Sequence, residues 1–166
     1  MNETYAEFLV KRKTPAYAYV LNVVLSVITL ITVLLALTTN VLAVIAMFLA
    51  GFVTCLSFRN TRVEFEYLFV TNIFSLDKVL GRAARKKVFE CTMDDIQIIA
   101  PTGSAELNNF KVQNQKVLDC SSRKAGAKTY TLIAQVGEVN TRVIFEPNDK
   151  LLQCFYMSSP RKVKKQ

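Results

Sequence analysis

The hydrophobic pattern divides the chain into a long uncharged stretch and a longer alternating one. No Asp, Glu, Lys or Arg occurs between Thr14 and Phe58, which are separated by mainly aliphatic residues. Soluble helices carry charge on their solvated face, so this stretch predicts membrane-spanning segments. Residues 16–37 and 41–58 would be about 33 and 27 Å long as helices, close to a hydrocarbon core of about 30 Å. The pattern therefore predicts a transmembrane helical hairpin over residues 16–60.

Basic residues flank the outer ends of this hairpin. The run Lys11–Lys13 precedes the first span, Arg59 and Arg62 follow the second, and the connection at residues 38–40 carries no charge. Cytoplasmic segments next to spans are enriched in Lys and Arg. We therefore expect a multi-pass protein of the cell membrane with both termini and the soluble part in the cytoplasm.

Small and mildly polar side chains recur every three or four residues on each span. Such faces let helices approach closely and exchange hydrogen bonds, which predicts packing within the hairpin or in a homodimer. Chance remains the alternative, because these residue types are common in spans. The residues are Asn22, Ser26 and Thr29 on the first span and Ala46, Ala50 and Thr54 on the second.

The N-terminal segment, residues 1–15, has features of a short interfacial helix. Thr4 and Glu7 have capping-box spacing, and Tyr5, Phe8 and Leu9 share a helical face. The segment is expected to anchor the chain at the membrane surface.

After the hairpin, apolar and polar residues alternate with the period of a β-strand. The pattern predicts about seven strands within residues 61–160, followed by an amphipathic helix over residues 147–158 and a basic tail over residues 161–166. Antiparallel strands closed by one helix are the element order of pleckstrin-homology-like domains, so the expected fold class is α+β. The strands are expected at residues 63–69, 73–80, 86–92, 96–100, 116–121, 128–136 and 139–145.

Several motifs give the chain a resemblance to a family of uncharacterised small bacterial membrane proteins with two spans. They are the segment Phe65–Asn72, the segment Leu76–Arg82 with Arg85–Lys87, the segment Asp95–Pro101, and Phe145–Asn148 with the closing Ser159–Val163. The resemblance implies a cytoplasmic pleckstrin-homology-like domain of unknown function and no assigned activity.

Signatures of catalysis and of metal binding are missing from the sequence. The chain has no His, and its four cysteines form no CxxC pair, so neither a zinc site nor a His-based triad is expected. Asp94-Asp95 is expected to serve a turn or a cap, and Ser121-Ser122 a polar loop. We expect no enzyme, no catalytic residue and no cofactor. The cysteines, expected to be small core residues in a reducing compartment, are Cys55, Cys91, Cys120 and Cys154.

The net charge of +8 lies mostly on the soluble part, where 17 Lys and Arg face 11 Asp and Glu after residue 60. Beside a membrane, this charge favours anionic lipid over nucleic acid, for which no base-reading motif is present. Solvated charge that maintains solubility is the alternative. Candidate lipid contacts are Arg82, Arg85, Lys86 and Lys87 in the loop between the second and third predicted strands, and Arg161, Lys162, Lys164 and Lys165 in the tail.

Three functions stay open on the sequence alone. The first is a membrane-tethered, non-catalytic interaction module, scaffold or accessory subunit that binds a protein partner at a strand edge or beside the C-terminal helix. The second is a sensor that faces anionic lipids of the inner leaflet, and the third is a subunit of a larger transport assembly. The sequence does not identify any partner.

Overall fold

A computed structural model describes residues 5–38, 41–81, 84–110 and 115–164. The chain divides into two compact units, one built on a helix pair and one on β-sheets. A short 3-10 helix spans Ala105–Phe110. The strands and α-helices are β1 Tyr5–Lys11, α1 Ala16–Ala36, α2 Val41–Thr61, β2 Val63–Val70, β3 Ile73–Leu80, β4 Ala84–Thr92, β5 Ile96–Pro101, β6 Lys116–Asp119, β7 Tyr130–Val136, β8 Val139–Phe145 and α3 Asp149–Ser158.

The two long helices have the length and composition of membrane spans. Each contains 21 residues, which is about 31 Å of helix and matches the hydrocarbon core. By length and composition the pair fits the predicted membrane hairpin. The second helix continues three residues past its predicted end at residue 58 and stops at Thr61. Residues 39 and 40 of the predicted connection lie outside the described part of the chain.

The N-terminal segment is a β-strand, so the prediction of an interfacial helix was wrong. β1 pairs with β2 in an antiparallel ladder whose register runs from Tyr5↔Val70 to Lys11↔Glu64. Ala6 and Val10 are buried and lie on the same face of the strand, because side chains alternate between the two faces with a period of two. The capping-box spacing had suggested a helix in place of this alternation. Thr4, the first residue of that pattern, lies outside the described residues. The β domain therefore includes residues 5–11 and is interrupted by the hairpin, instead of beginning near residue 61.

The helix pair is thus inserted between two adjacent, paired strands. Four residues separate β1 from α1, and Arg62 alone separates α2 from β2. Lys11 and Glu64, on either side of the insertion, are paired in the ladder. Because both connections are this short, the two outer ends of the hairpin must emerge on the same side of a membrane that it spans.

Within the described residues, eight strands form two four-stranded sheets. Their orders are β1-β2-β3-β4 and β5-β7-β8-β6. All seven strands expected after the hairpin are present, with ends shifted by one or two residues; β6 ends at Asp119 and β7 begins at Tyr130. β7 is antiparallel to both its neighbours, whereas β6 is parallel to β8. The parallel pair was not expected from the sequence, because alternation does not show the direction of a strand.

The C-terminal helix closes the aromatic core. Asn148 caps α3 by accepting a 2.9 Å hydrogen bond from the Leu151 amide at its side-chain oxygen, so the helix begins two residues later than predicted. The Phe155 ring is fully buried and its centroid lies 4.9 Å from that of Phe69 and 5.0 Å from that of Phe74. This aromatic contact explains why an amphipathic helix follows the last strand.

The segment after α3 adds to the edge of β5. The amide of Ile99 donates to the carbonyl of Lys162, and the amide of Lys164 donates to the carbonyl of Ile99, both at 2.8 Å. Val163 lies buried between these two bonds. Part of the predicted basic tail is therefore an integral piece of the β domain.

Candidate functional site

A seam of amide and hydroxyl side chains joins the two long helices. Asn22, only 6% exposed, donates from Nδ2 to Thr61 Oγ1 at 3.1 Å and accepts at Oδ1 from Ser57 Oγ at 2.6 Å. Further along, the hydroxyls of Thr29 and Thr54 lie 2.9 Å apart. Every polar group of the Asn22 side chain thus has a partner in the opposite helix, as a polar group in hydrocarbon requires.

The six residues of the predicted small-residue stripes divide between this seam and the outer surface. Asn22, Thr29 and Thr54 lie in the seam, and Ala50 is half-buried. Ser26 and Ala46 are exposed. The Ser26 hydroxyl donates to the carbonyl of residue 22 in its own helix, at 2.8 Å, and so joins nothing across the pair.

Sequence reasoning missed Ser57 and Thr61 as seam residues. Both continue the small-residue spacing of Ala50 and Thr54 in steps of three and four. Thr61 was overlooked because the span was predicted to end at residue 58, and Ser57 because it follows Thr54 by three residues and breaks the four-residue step of the stripe.

The turn after β3 lies against the C-terminal end of α2. The Gly81 amide donates to the carbonyl of Arg62 at 3.0 Å. Gly81 has φ of +57°, and a Cβ there would lie 3.3 Å from the carbonyl oxygen of Arg59. Glycine suits this position because it adopts positive φ without strain and leaves room for the neighbouring backbone. The turn that leads to the first basic candidate cluster is therefore attached to the end of the second span, while Arg82 itself lies outside the described residues.

The other three cations of that cluster lie in β4, not in a loop. Arg85 Nη1 is 3.1 Å from Glu66 Oε2, and Lys87 forms an ion pair with Glu90. Lys86 is exposed and forms no ion pair within the described residues. The cluster is consequently not one free patch of four positive charges, because two of its members face carboxylates.

A carboxyl pair lies beside Arg85 on the same sheet. Glu66 is 7% exposed, and desolvation, followed by a hydrogen bond with Glu7, raises its pKa above the ordinary value. The Tyr5 hydroxyl donates to Glu7, and this bond is the main cause of the lowered pKa of Glu7. Nowhere in the described ranges are three or more Cys, Asp or Glu side chains arranged to hold a metal ion.

The cations of the tail differ in their contacts. Lys162 Nζ donates to the carbonyls of Met93 and Asp94, at 2.7 and 3.1 Å, and thereby fixes the tail to the β4–β5 turn. Arg161 and Lys164 are exposed and have no ion pair in the described part of the chain. Lys165 lies outside it.

The acidic and hydroxyl residues considered for catalysis form hydrogen bonds within local turns. Asp95 Oδ2 accepts hydrogen bonds from the amide and the hydroxyl of Thr92, both at 2.8 Å. The hydrogen bond from the amide is the main cause of the lowered pKa of Asp95. The Ser121 hydroxyl donates to Asp119 Oδ1 at 2.7 Å, and the Ser122 hydroxyl accepts from the Lys124 amide at 3.2 Å. These groups stabilise turns in the way that Asp and Ser commonly do.

The cysteines of the β domain are buried thiols. Burial raises the pKa of Cys91 to about 12 and that of Cys120 to about 11, and it also raises the pKa of Cys154. All three are free thiols, as is Cys55 in α2. A thiol with a raised pKa remains protonated near pH 7 and is a poor nucleophile.

Comparison with known proteins gives a family for this architecture. The family model of the bacterial PH-like domain, DUF6106, matches residues 2–165 and so includes both the hairpin and the strand before it. Searches of curated proteins and of solved structures found no match. The family match confirms the predicted fold class and the resemblance to bacterial proteins with a domain of unknown function. The chain therefore belongs to the bacterial PH-like domain family DUF6106.

Proposed function

We propose that the protein is a non-catalytic interaction module that its hairpin holds at the cytoplasmic face of the bacterial cell membrane, where the PH-like domain binds a protein partner. The insertion of the hairpin between β1 and β2 is the observation that supports this proposal. A domain attached through two short connections stays at the membrane surface, which suits the presentation of a binding surface there.

The cytoplasmic location follows from the charges next to the hairpin. Lys13, Arg59 and Arg62 flank its outer ends, and cytoplasmic flanks are the basic ones. The test is labelling of intact cells with a membrane-impermeant maleimide after replacement of the native cysteines by Ser. Thr39→Cys should be labelled and Gln166→Cys should be labelled only after lysis. Labelling of Gln166→Cys in intact cells would reverse the orientation.

The non-catalytic role is supported by the hydrogen bonds that the acidic and hydroxyl side chains already form within the domain. Asp95, Ser121 and Ser122 form hydrogen bonds within turns, and PH-like domains are generally non-catalytic. Function in this chain is therefore assigned to a surface and not to a catalytic cleft.

β4 offers the surface with the clearest chemistry for a protein partner. It is an edge strand of the first sheet, and an extended peptide can add to such an edge through main-chain hydrogen bonds. The exposed Lys86 favours an acidic peptide. A photo-crosslinking residue at Lys86 should yield one discrete cross-linked protein in cells. The matched control is Val139 on the inner strand β8, which is also exposed. Equal cross-linking at both positions would contradict a partner at β4.

Contact with anionic lipid is the second candidate, and the unpaired cations favour it. Lys86, Arg161 and Lys164 are exposed without ion pairs among the described residues, and each basic residue near an anionic surface contributes about 1 kcal/mol. The whole protein in nanodiscs, compared between phosphatidylglycerol and phosphatidylcholine, should show slower amide exchange around these residues in the anionic lipid. Replacement of all three by Gln should abolish the difference. Equal amide exchange in both lipids would leave the protein partner as the better candidate. A stoichiometric complex with transport proteins, isolated in mild detergent, would instead favour the third function, a subunit of a larger transport assembly.

A further inference from the structure

A groove runs along the outer surface of the helix pair. Its volume is about 390 Å³, within the range of about 300–1,000 Å³ typical of ligand pockets. The small side chain of Ser26 lies between the larger Tyr19 and Leu30, and Phe58 of α2 forms a wall. The groove is lined by Tyr19, Asn22, Val23, Ser26, Val27, Leu30 and Phe58.

The groove has the length of one membrane leaflet. From Tyr19 to Leu30 the helix rises eleven residues, about 16 Å, which is about half of a hydrocarbon core of about 30 Å. Tyr19 is the fourth residue of α1, and Leu30 lies past the middle of that helix. An extended acyl chain that begins at the interface would match a groove of this length.

The interfacial end of the groove suits a phosphate. Pro15 precedes α1 and provides no side-chain cap, so the first amides of the helix lack a side-chain acceptor. A helix N-terminus with free amides attracts anions. Arg62 is exposed and directly follows Thr61, the last residue of α2, whose hydroxyl accepts a hydrogen bond from Asn22 near this end of α1. Tyr19 adds a hydroxyl donor at the level of the headgroups, where Tyr is favoured.

We infer that this groove binds one anionic phospholipid, with an acyl chain along α1 and the phosphate near Tyr19, Arg62 and the N-terminus of α1. The site lies on the hairpin and is independent of the partner proposed for β4. The bound lipid would be a resident ligand of the anchor, which distinguishes it from the bulk lipid that covers the rest of the hairpin.

Native mass spectrometry of the whole protein, released from nanodiscs of equal parts phosphatidylglycerol and phosphatidylcholine, tests the inference. The wild-type protein should retain one phosphatidylglycerol molecule per chain. Ser26→Phe fills the groove and should lower that retention about tenfold, which corresponds to about 1.4 kcal/mol. Ile28→Phe, about 200° around the same helix, places the same phenyl group at an exposed position outside the groove and should retain the lipid.

Two further variants test the hydrogen bond of Ser26 and the headgroup end of the groove, each without filling the groove. Ser26→Ala removes the hydroxyl that bonds to the carbonyl of residue 22 and keeps the groove open, so it should retain the lipid. Arg62→Gln should reduce the preference for phosphatidylglycerol over phosphatidylcholine. Equal retention by Ser26→Phe and Ile28→Phe would overturn the inference. A dimer that Ser26→Phe converts to monomer would also overturn it and would assign the groove to a second copy of the chain.

Discussion

Val10 provides the sharpest test of the strand that precedes the membrane hairpin. Lys11 and Glu64 are paired in the β1–β2 ladder, so Arg12 and Val63 form the next position, where a hairpin turn can close the two strands. Replacing residues 13–62 by Asn-Gly, the preferred two-residue hairpin turn, should give a water-soluble β domain that retains β1. This form allows the contribution of β1 to be measured without detergent.

The expected effect of Val10→Ala follows from its burial. Val10 is 6% exposed, and the substitution removes two methyl groups, worth about 0.8 kcal/mol each, and leaves a small cavity. The unfolding free energy should fall by about 2 kcal/mol, a large part of the roughly 5–15 kcal/mol that stabilises a typical domain. Leu9→Ala is the matched control, because Leu9 is 43% exposed on the opposite face of the strand. Its effect should be below about 1 kcal/mol.

Urea unfolding followed by circular dichroism measures both effects by linear extrapolation. A loss at Val10 that does not exceed the loss at Leu9 would refute the assignment of β1 to the core. A form that begins at Arg59 supplies a second measurement. It lacks β1 and exposes the edge of β2, so it should be less stable and prone to associate. An unchanged unfolding free energy in that form would likewise show that β1 contributes nothing.

Three further predictions concern the core, the hairpin and the pH dependence of stability. Phe155→Ala should lower the unfolding free energy of the turn-closed domain by about 3–5 kcal/mol, while Met157→Ala, at an exposed position, should change it little; similar losses would contradict the role of α3 in the core. Asn22→Leu removes the partner of Ser57 and Thr61 and should weaken the helix pair in detergent unfolding by about 1 kcal/mol, unlike Ser26→Ala. The folded state holds the pKa of Asp95 below its ordinary value of 3.8, so its stabilisation is complete above that value and is lost as pH falls through the folded pKa. The stability difference between wild type and Asp95→Asn should therefore shrink at low pH, and a constant difference would refute the Thr92 contact as its source.

The elements that could be predicted are those whose pattern is local. The spans follow from 45 residues without charge, and β2 follows from alternation along one segment. β1 was missed because its seven residues carry both a helical spacing and a strand spacing. Only pairing with β2, across the intervening hairpin, decides between them, and a single sequence does not show which distant segments pair.

The candidate site was predicted less well because charge runs do not reveal their partners. The sequence shows Arg85 in a basic run, but its carboxylate partner, Glu66, lies on a strand two positions away in the sheet. Lys162 seemed to be a tail cation, and its ammonium is instead bonded to main-chain carbonyls of the β4–β5 turn. Such pairings arise from the tertiary fold. The groove beside Phe58 is equally a property of two packed helices and has no signature in either one alone.

The inserted hairpin also makes the fold of the β domain depend on membrane topology. β1 is synthesised before both spans and β2 after them, so the ladder from Tyr5↔Val70 to Lys11↔Glu64 forms only when both spans are complete. If one span alone crossed the membrane, the two strands would lie on opposite sides and could not pair. The sheet would then lose its first strand, and the core would lose the buried Ala6 and Val10. Where both helices span a membrane, correct insertion of the hairpin is therefore a condition for a complete core.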